Sequence, residues 1–154
     1  MQSQTVLLAD PRATEQLGRE LATGWLNEST IRPILLLSGD LGAGKTSLVQ
    51  GIAHGLGIAE PITSPSFALA QHYFAELASL VHLDLYRLEN PAAADELFAQ
   101  EEEEALALGA LMAVEWPSRL SFIPHQSWTV LLELIEDTEP EAGRLATVWR
   151  GSTG

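Results

Sequence analysis

The chain has 154 residues, 46% of them hydrophobic, a formal charge of −13 and no cysteine. This length and composition fit one globular domain over residues 1–154, and exclude a disordered chain, a disulfide scaffold, a thiolate zinc site and a thiol nucleophile. With 21 acidic against 8 basic residues the surface repels phosphate backbones, so a nucleic acid would have to be held through partners.

In chain order, Thr5 to Leu8 is a short apolar run that reads as an edge strand. Asp10-Pro11 then supplies a capping carboxylate followed by proline at the first helical position. Leu17, Leu21 and Trp25 recur every four residues, which predicts a helix of about 15 residues ending near Thr30 to Pro33. Ile34 to Leu37 is continuously apolar, as expected of a parallel strand covered on both faces. A glycine-rich loop follows, then a helix from Lys45 to Leu56 that Gly57 can stop. Phe67 to Phe74 and Leu80 to Leu85 read as strands. Asn90-Pro91 repeats the cap-and-proline signal before an Ala-, Glu- and Leu-rich helix to about Leu108. Leu111 to Glu115 is a further strand, closed by Trp116-Pro117. Trp128 to Glu136 and Leu145 to Trp149 predict an antiparallel hairpin across a polar loop. The sum is an α/β, P-loop-NTPase-like three-layer domain: a mixed, mostly parallel sheet flanked by helices, with a C-terminal antiparallel hairpin. The segment Met1-Gln2-Ser3-Gln4 has no basic region leading into an apolar core, and no apolar run approaches the length of a membrane span. Together with the missing cysteines, these features predict a cytoplasmic protein without membrane contact.

The chemistry is concentrated in Gly39-Asp40-Leu41-Gly42-Ala43-Gly44-Lys45-Thr46, which satisfies G-x-x-x-x-G-K-[ST] at every fixed position. Glycines let the backbone turn tightly and approach an anion without a Cβ in the way. The N–H groups then converge on phosphate, with the positive end of the following helix behind them. Lys45, the only lysine in the chain, would reach the β- and γ-phosphates, and the Thr46 hydroxyl would ligate Mg²⁺. With glycine at about 7% of residues, a chance match in such a chain arises well under about 1% of the time.

A carboxylate usually meets this metal from a neighbouring strand. Asp84 and Glu115 each end an apolar strand, where burial is costly without a cation or hydrogen bonds. Spacing alone does not divide their roles. Thr63, Ser64 and Ser66 lie in a proline-flanked loop that could order around a γ-phosphate or simply connect. His82 reads as a satisfied core histidine rather than a catalyst, and the run Glu101 to Glu104 as a solvated helix face.

In combination, the phosphate loop, Thr63-Ser64-Pro65-Ser66-Phe67, His82-Leu83-Asp84-Leu85-Tyr86-Arg87-Leu88 and Val114-Glu115-Trp116-Pro117 resemble the TsaE (formerly YjeE) family, ATPases needed to make threonylcarbamoyladenosine in tRNA. The resemblance runs from about Asp10 to Leu120. It implies that Gly39 and Leu41 to Thr46 (Leu41, Gly42, Ala43, Gly44, Lys45, Thr46) bind ATP, with Trp116 close to the nucleotide. Thr46 and Glu115 would ligate Mg²⁺, Asp84 would serve hydrolysis, and the Ser64-Pro65-Ser66 loop would be the nucleotide-responsive switch. Ser66 departs from the threonine usual in the family; it retains the hydroxyl and loses the β-branch. The implied partners are TsaB and TsaD, with tRNA reached through them and ATP hydrolysis resetting the complex.

A small-molecule or nucleotide kinase is the competing reading of the same loop. Such kinases clamp the transferring phosphoryl group with several cations and close a lid over it. Only Arg87, Arg119, Arg144 and Arg150 follow the phosphate loop here, with no arginine-rich lid segment.

Overall fold

A computed structural model describes residues 3–28, 33–39, 44–62, 70–75, 78–136, 138–139 and 142–150. One seven-stranded sheet organises them, in the order β1-β7-β6-β2-β5-β4-β3. The strands are β1 (Ser3–Leu8), β2 (Ile34–Ser38), β3 (Ala70–Tyr73), β4 (Leu80–Asp84), β5 (Leu111–Glu115), β6 (Ser127–Leu134) and β7 (Arg144–Arg150). The helices are α1 (Pro11–Glu28), α2 (Lys45–Leu56) and α3 (Pro91–Leu108), with a 3₁₀ turn at Pro117–Arg119.

The four central strands, β6, β2, β5 and β4, are parallel, and antiparallel pairs finish both sides: β3 on β4, β7 on β6, β1 on β7. The predicted hairpin is therefore present, but it extends the main sheet because β6 also pairs in parallel with β2. β1 is an edge strand, as its short apolar run predicted.

Alternation along the strands divides the core between the two faces. Leu35, Leu37, Leu80, Leu111, Val130 and Leu132 join Leu48, Ile52 and Leu56 of α2 and Trp25 of α1. Leu36, Val81, Leu83, Met112 and Val114 join Ala94, Phe98 and Ala105 of α3 on the other face. Cover on both faces explains why β2, β4 and β5 read as continuous apolar runs.

The predicted caps form. Asp10 Oδ1 accepts from the Ala13 N–H at 2.9 Å, and Asn90 Oδ1 from the Ala92 N–H at 2.9 Å. Gly57 closes α2 in the left-handed region at φ 86°. α1 runs 18 residues, longer than its periodicity suggested. It crosses α2 at backbone contact: a Cβ added at Gly51 would strike the Glu15 carbonyl, and one at Gly18 the Leu48 carbonyl. Only glycine permits that approach. β3 begins at Ala70; residues 67–69 of the predicted strand lie outside the described residues.

The acidic run on α3 is not uniformly solvated. Glu101 is 8% exposed and lies 2.7 Å from His72 Nε2 on β3, whereas Glu103 and Glu104 face solvent. At the predicted position Glu101 turns inward, and the imidazole it meets makes its burial tolerable. Among the described residues no helix is long and apolar enough to cross a membrane.

Candidate functional site

The site lies at the C-terminal ends of the parallel strands, the usual ligand-binding edge of such sheets. β2 ends at Ser38, and Gly39 follows with φ 147°. At the far end of the loop Gly44 caps α2 with φ 101°, and its carbonyl accepts from the Leu48 N–H at 3.1 Å. Both glycines are in the left-handed region, the conformational reason for their positions in the motif. Leu41, Gly42 and Ala43, and likewise Thr63, Ser64 and Ser66, lie outside the described residues.

Lys45 opens α2. It is 6% exposed, donates from Nζ to the Gly39 carbonyl at 2.8 Å, and lies 4.2 Å from the centroid of the Trp116 ring. A cation held at this depth between a carbonyl and an indole face is oriented by the fold rather than free in solvent. Thr46 follows it on the first turn of α2.

The two predicted carboxylates come together. Asp84 and Glu115 are register partners at the ends of neighbouring parallel strands. Glu115 is 4% exposed, and its Oε2 is 2.6 Å from Nε2 of His82, which is completely buried. His82 Nδ1 is buried with no partner among the described residues. His82 is a core histidine as expected, but the group that satisfies its Nε2 belongs to the candidate site. Alternation puts His82 and Asp84 on one side of β4, the local signal in the sequence; that Glu115 meets them follows from the β4–β5 pairing.

Asp84 Oδ1 accepts from the Tyr86 N–H at 3.0 Å. Burial pushes its carboxyl above the usual carboxylate range, and the charge of Glu115 adds to the rise. The Tyr86 N–H, His82 and Lys45 oppose it. Two carboxylates that repel each other beside a buried ammonium are a donor set that a divalent cation would relieve. Among the described residues no three His, Cys, Asp or Glu side chains gather as a metal cage.

Trp116 turns the chain out of β5 in the left-handed region at φ 60°, a conformation unfavourable for a bulky residue. The turn places its ring 4.9 Å from Tyr86, and the Arg119 guanidinium lies 5.7 Å from the Tyr86 ring. Lys45 and Arg119 thus flank the stacked pair Trp116 and Tyr86, one cation on each ring. Arg144, to which no role was assigned from the sequence, brings Nε to 3.5 Å from the point where a Cβ on Gly44 would lie. No motif marks Arg144; only the β6–β7 pairing carries it to the phosphate loop.

Lys45 and Trp116 also line a cleft of about 550 Å³. Ser38, Gly39 and Lys45 form its base, Trp116, Pro117 and Ser118 one wall, and Leu131 to Leu134 the other.

Comparisons with known proteins agree with this architecture. The family model described as threonylcarbamoyl adenosine biosynthesis protein TsaE matches residues 8–144. A tRNA threonylcarbamoyladenosine biosynthesis protein TsaE from Synechocystis is 44% identical over 80% of this chain and 76% of its own. The protein of that name from Nostoc is 40% identical over 82% and 76%. In fold, the chain is similar to the crystal structure of YdiB from Bacillus subtilis, with a TM-score of 0.68 at 24% identity over 97% of this chain and 87% of that one.

Proposed function

The chain belongs to the TsaE family, and from that premise we propose that it is the ATP-binding and ATP-hydrolysing subunit for N6-threonylcarbamoyladenosine formation in tRNA. The observation that supports the hydrolytic part is the register pairing of Asp84 with Glu115 beside Lys45, which itself lines a cleft the size of a small-molecule site.

In this reading the phosphate loop, Gly39 to Thr46, holds the triphosphate, with Lys45 moving from the Gly39 carbonyl to the β- and γ-phosphates. Thr46 and Glu115 hold Mg²⁺, which when bound neutralises charge on the phosphate oxygens. His82 fixes the rotamer of Glu115 from behind. Asp84 orients a water toward the γ-phosphorus and accepts its proton, a role that suits a carboxyl whose pKa lies above the ordinary range. The P–O bond to the β-phosphate breaks, leaving ADP and inorganic phosphate. The Ser64-Pro65-Ser66 loop responds to loss of the γ-phosphate. We place the protein in the cytoplasm with TsaB and TsaD, which hold the tRNA, and hydrolysis resets their complex. Low turnover by the isolated chain is expected, because partners complete the switch.

The test is a reconstitution with TsaB, TsaD, threonylcarbamoyl-adenylate, tRNA and Mg²⁺–ATP. Multiple turnovers that need this protein, stop with Lys45→Ala and release inorganic phosphate support the reading. Transfer of the γ-phosphoryl group to an acceptor molecule would instead establish the kinase. Multiple turnovers without this protein would exclude the resetting role.

A further inference from the structure

A second hollow opens at the other end of the sheet, where β2, β5 and β6 begin. Ala105, Ala110 and Met112 are the buried part of its lining, and Glu102 and Leu106 form its rim on α3. Its volume is about 170 Å³. Small-molecule sites usually enclose roughly 300–1,000 Å³, so this hollow has room for a single aliphatic side chain. Two of its buried residues are alanines, which leaves a gap where longer side chains would meet. Leu106 stands beside that gap without closing it. At 73% it is the most exposed large hydrophobic residue among those described.

Charge gathers on the same helix. α3 carries Asp95, Glu96 and Glu101 to Glu104, with no lysine or arginine in its 18 residues. Glu101 turns inward to His72, whereas Glu102, Glu103 and Glu104 form no ion pair among the described residues. These three sit in the C-terminal half of α3, where the macrodipole disfavours anions and no cation lies one turn away. The arrangement opposes the helix that carries it, and a cation arriving from outside relieves it. Glu102 and Leu106 are one turn apart, so acidic and exposed apolar surface meet at the rim of the hollow.

We propose that this hollow and its acidic rim dock a basic linear segment of a partner protein, in which one aliphatic side chain lies between lysines or arginines. The aliphatic side chain enters beside Leu106 toward Met112, and the flanking cations lie over Glu102 to Glu104. Apolar burial supplies the anchor, and charge complementarity supplies orientation and encounter rate. The same negative charge turns away nucleic acid and anionic lipid. The hollow shares no residue with the cleft at the phosphate loop, so a segment seated in it leaves that cleft open.

NMR titration of the whole chain with the peptide acetyl-Lys-Lys-Leu-Lys-Lys-amide tests this. The leucine peptide should shift the Ala105, Leu106 and Ala110 amides and the Met112 methyl group, with a Kd on the order of 1 mM. Alanine in place of its leucine should weaken binding about tenfold, the worth of one buried aliphatic side chain. Glutamates in place of its lysines should abolish binding. Glu102→Gln should weaken the leucine peptide, and Glu102→Lys should weaken it further, by about fivefold or more. If neither variant folds, the comparison of the leucine and alanine peptides on the parent protein decides. Equal binding of those two peptides, shifts that fall outside the hollow, or unchanged affinity for both Glu102 variants overturns the proposal. So does the absence of any shift at about 10 mM leucine peptide.

Discussion

His82 on β4 and Glu115 on β5 meet at 2.6 Å between Nε2 and Oε2, with the histidine completely excluded from solvent. Removing one member leaves a buried polar group without its partner, which costs more than the net worth of the pair. His82→Ala and Glu115→Ala should each lower unfolding free energy by about 2–4 kcal/mol. The double variant should fall short of their sum by about 1 kcal/mol or more. Urea denaturation of the four proteins measures the coupling; additive losses would mean that the contact has no energetic weight.

Asp84 should trade stability against turnover. Its folded pKa is raised, chiefly by burial and then by Glu115, so the folded chain binds the proton more tightly than the unfolded chain does. Its contribution is therefore most favourable below the unfolded pKa and is lost as pH rises through the folded value. At neutral pH the ionised carboxylate opposes folding. Asp84→Asn should melt higher than the parent in metal-free buffer at pH 7, while phosphate release in the reconstituted system drops about a hundredfold or more. A lower melting temperature would contradict the first part, and undiminished turnover the second.

Asp95 behaves in the opposite sense. The Ser121 hydroxyl and its N–H, the latter at 3.0 Å, hold this carboxyl below the usual range and tie α3 to the segment after the 3₁₀ turn. A depressed folded pKa gives stability that is present above the unfolded pKa and lost as pH falls through the folded one. Asp95 lies at the protein surface, where solvent screens its charge, so the effect is small. Thermal melts of the parent and Asp95→Ala should differ slightly at pH 7 and converge toward pH 3; a gap that widens on acidification would reverse the assignment.

Two glycines of the helical layer should respond oppositely to the same substitution. Nothing lies within 4 Å of a Cβ at Gly24, so Gly24→Ala should stabilise by about 0.5–1 kcal/mol through helix propensity alone. Gly51→Ala drives a methyl into the Glu15 carbonyl and forces α1 and α2 apart, which should cost about 3 kcal/mol or more. Chemical denaturation of both checks the packing of α1 on α2.

Much of this was legible in the sequence because it is encoded locally. The caps at Asp10 and Asn90, the stop at Gly57 and the glycines at both ends of the phosphate loop act within a few residues of themselves. Asp84 and Glu115 were recognisable as strand-end carboxylates, and parallel register then aligned them. The strand order was not legible, because it depends on pairings between distant segments: the last hairpin sits against β2, opposite β5. That placement brings Arg144 to Gly44 and lays β6 along the cleft, so neither feature could be read before the sheet was known. Glu101 looked like its solvated neighbours because the partner that draws it inward, His72, lies on another element.

The backbone interlock of α1 with α2 has a mechanical consequence. Where the backbones touch at Gly18 and Gly51 no side chain cushions them, so the two helices should move as one rigid unit that begins at Gly44. Sliding of α2 past α1 is blocked at these contacts, so amide exchange along both helices should be slow.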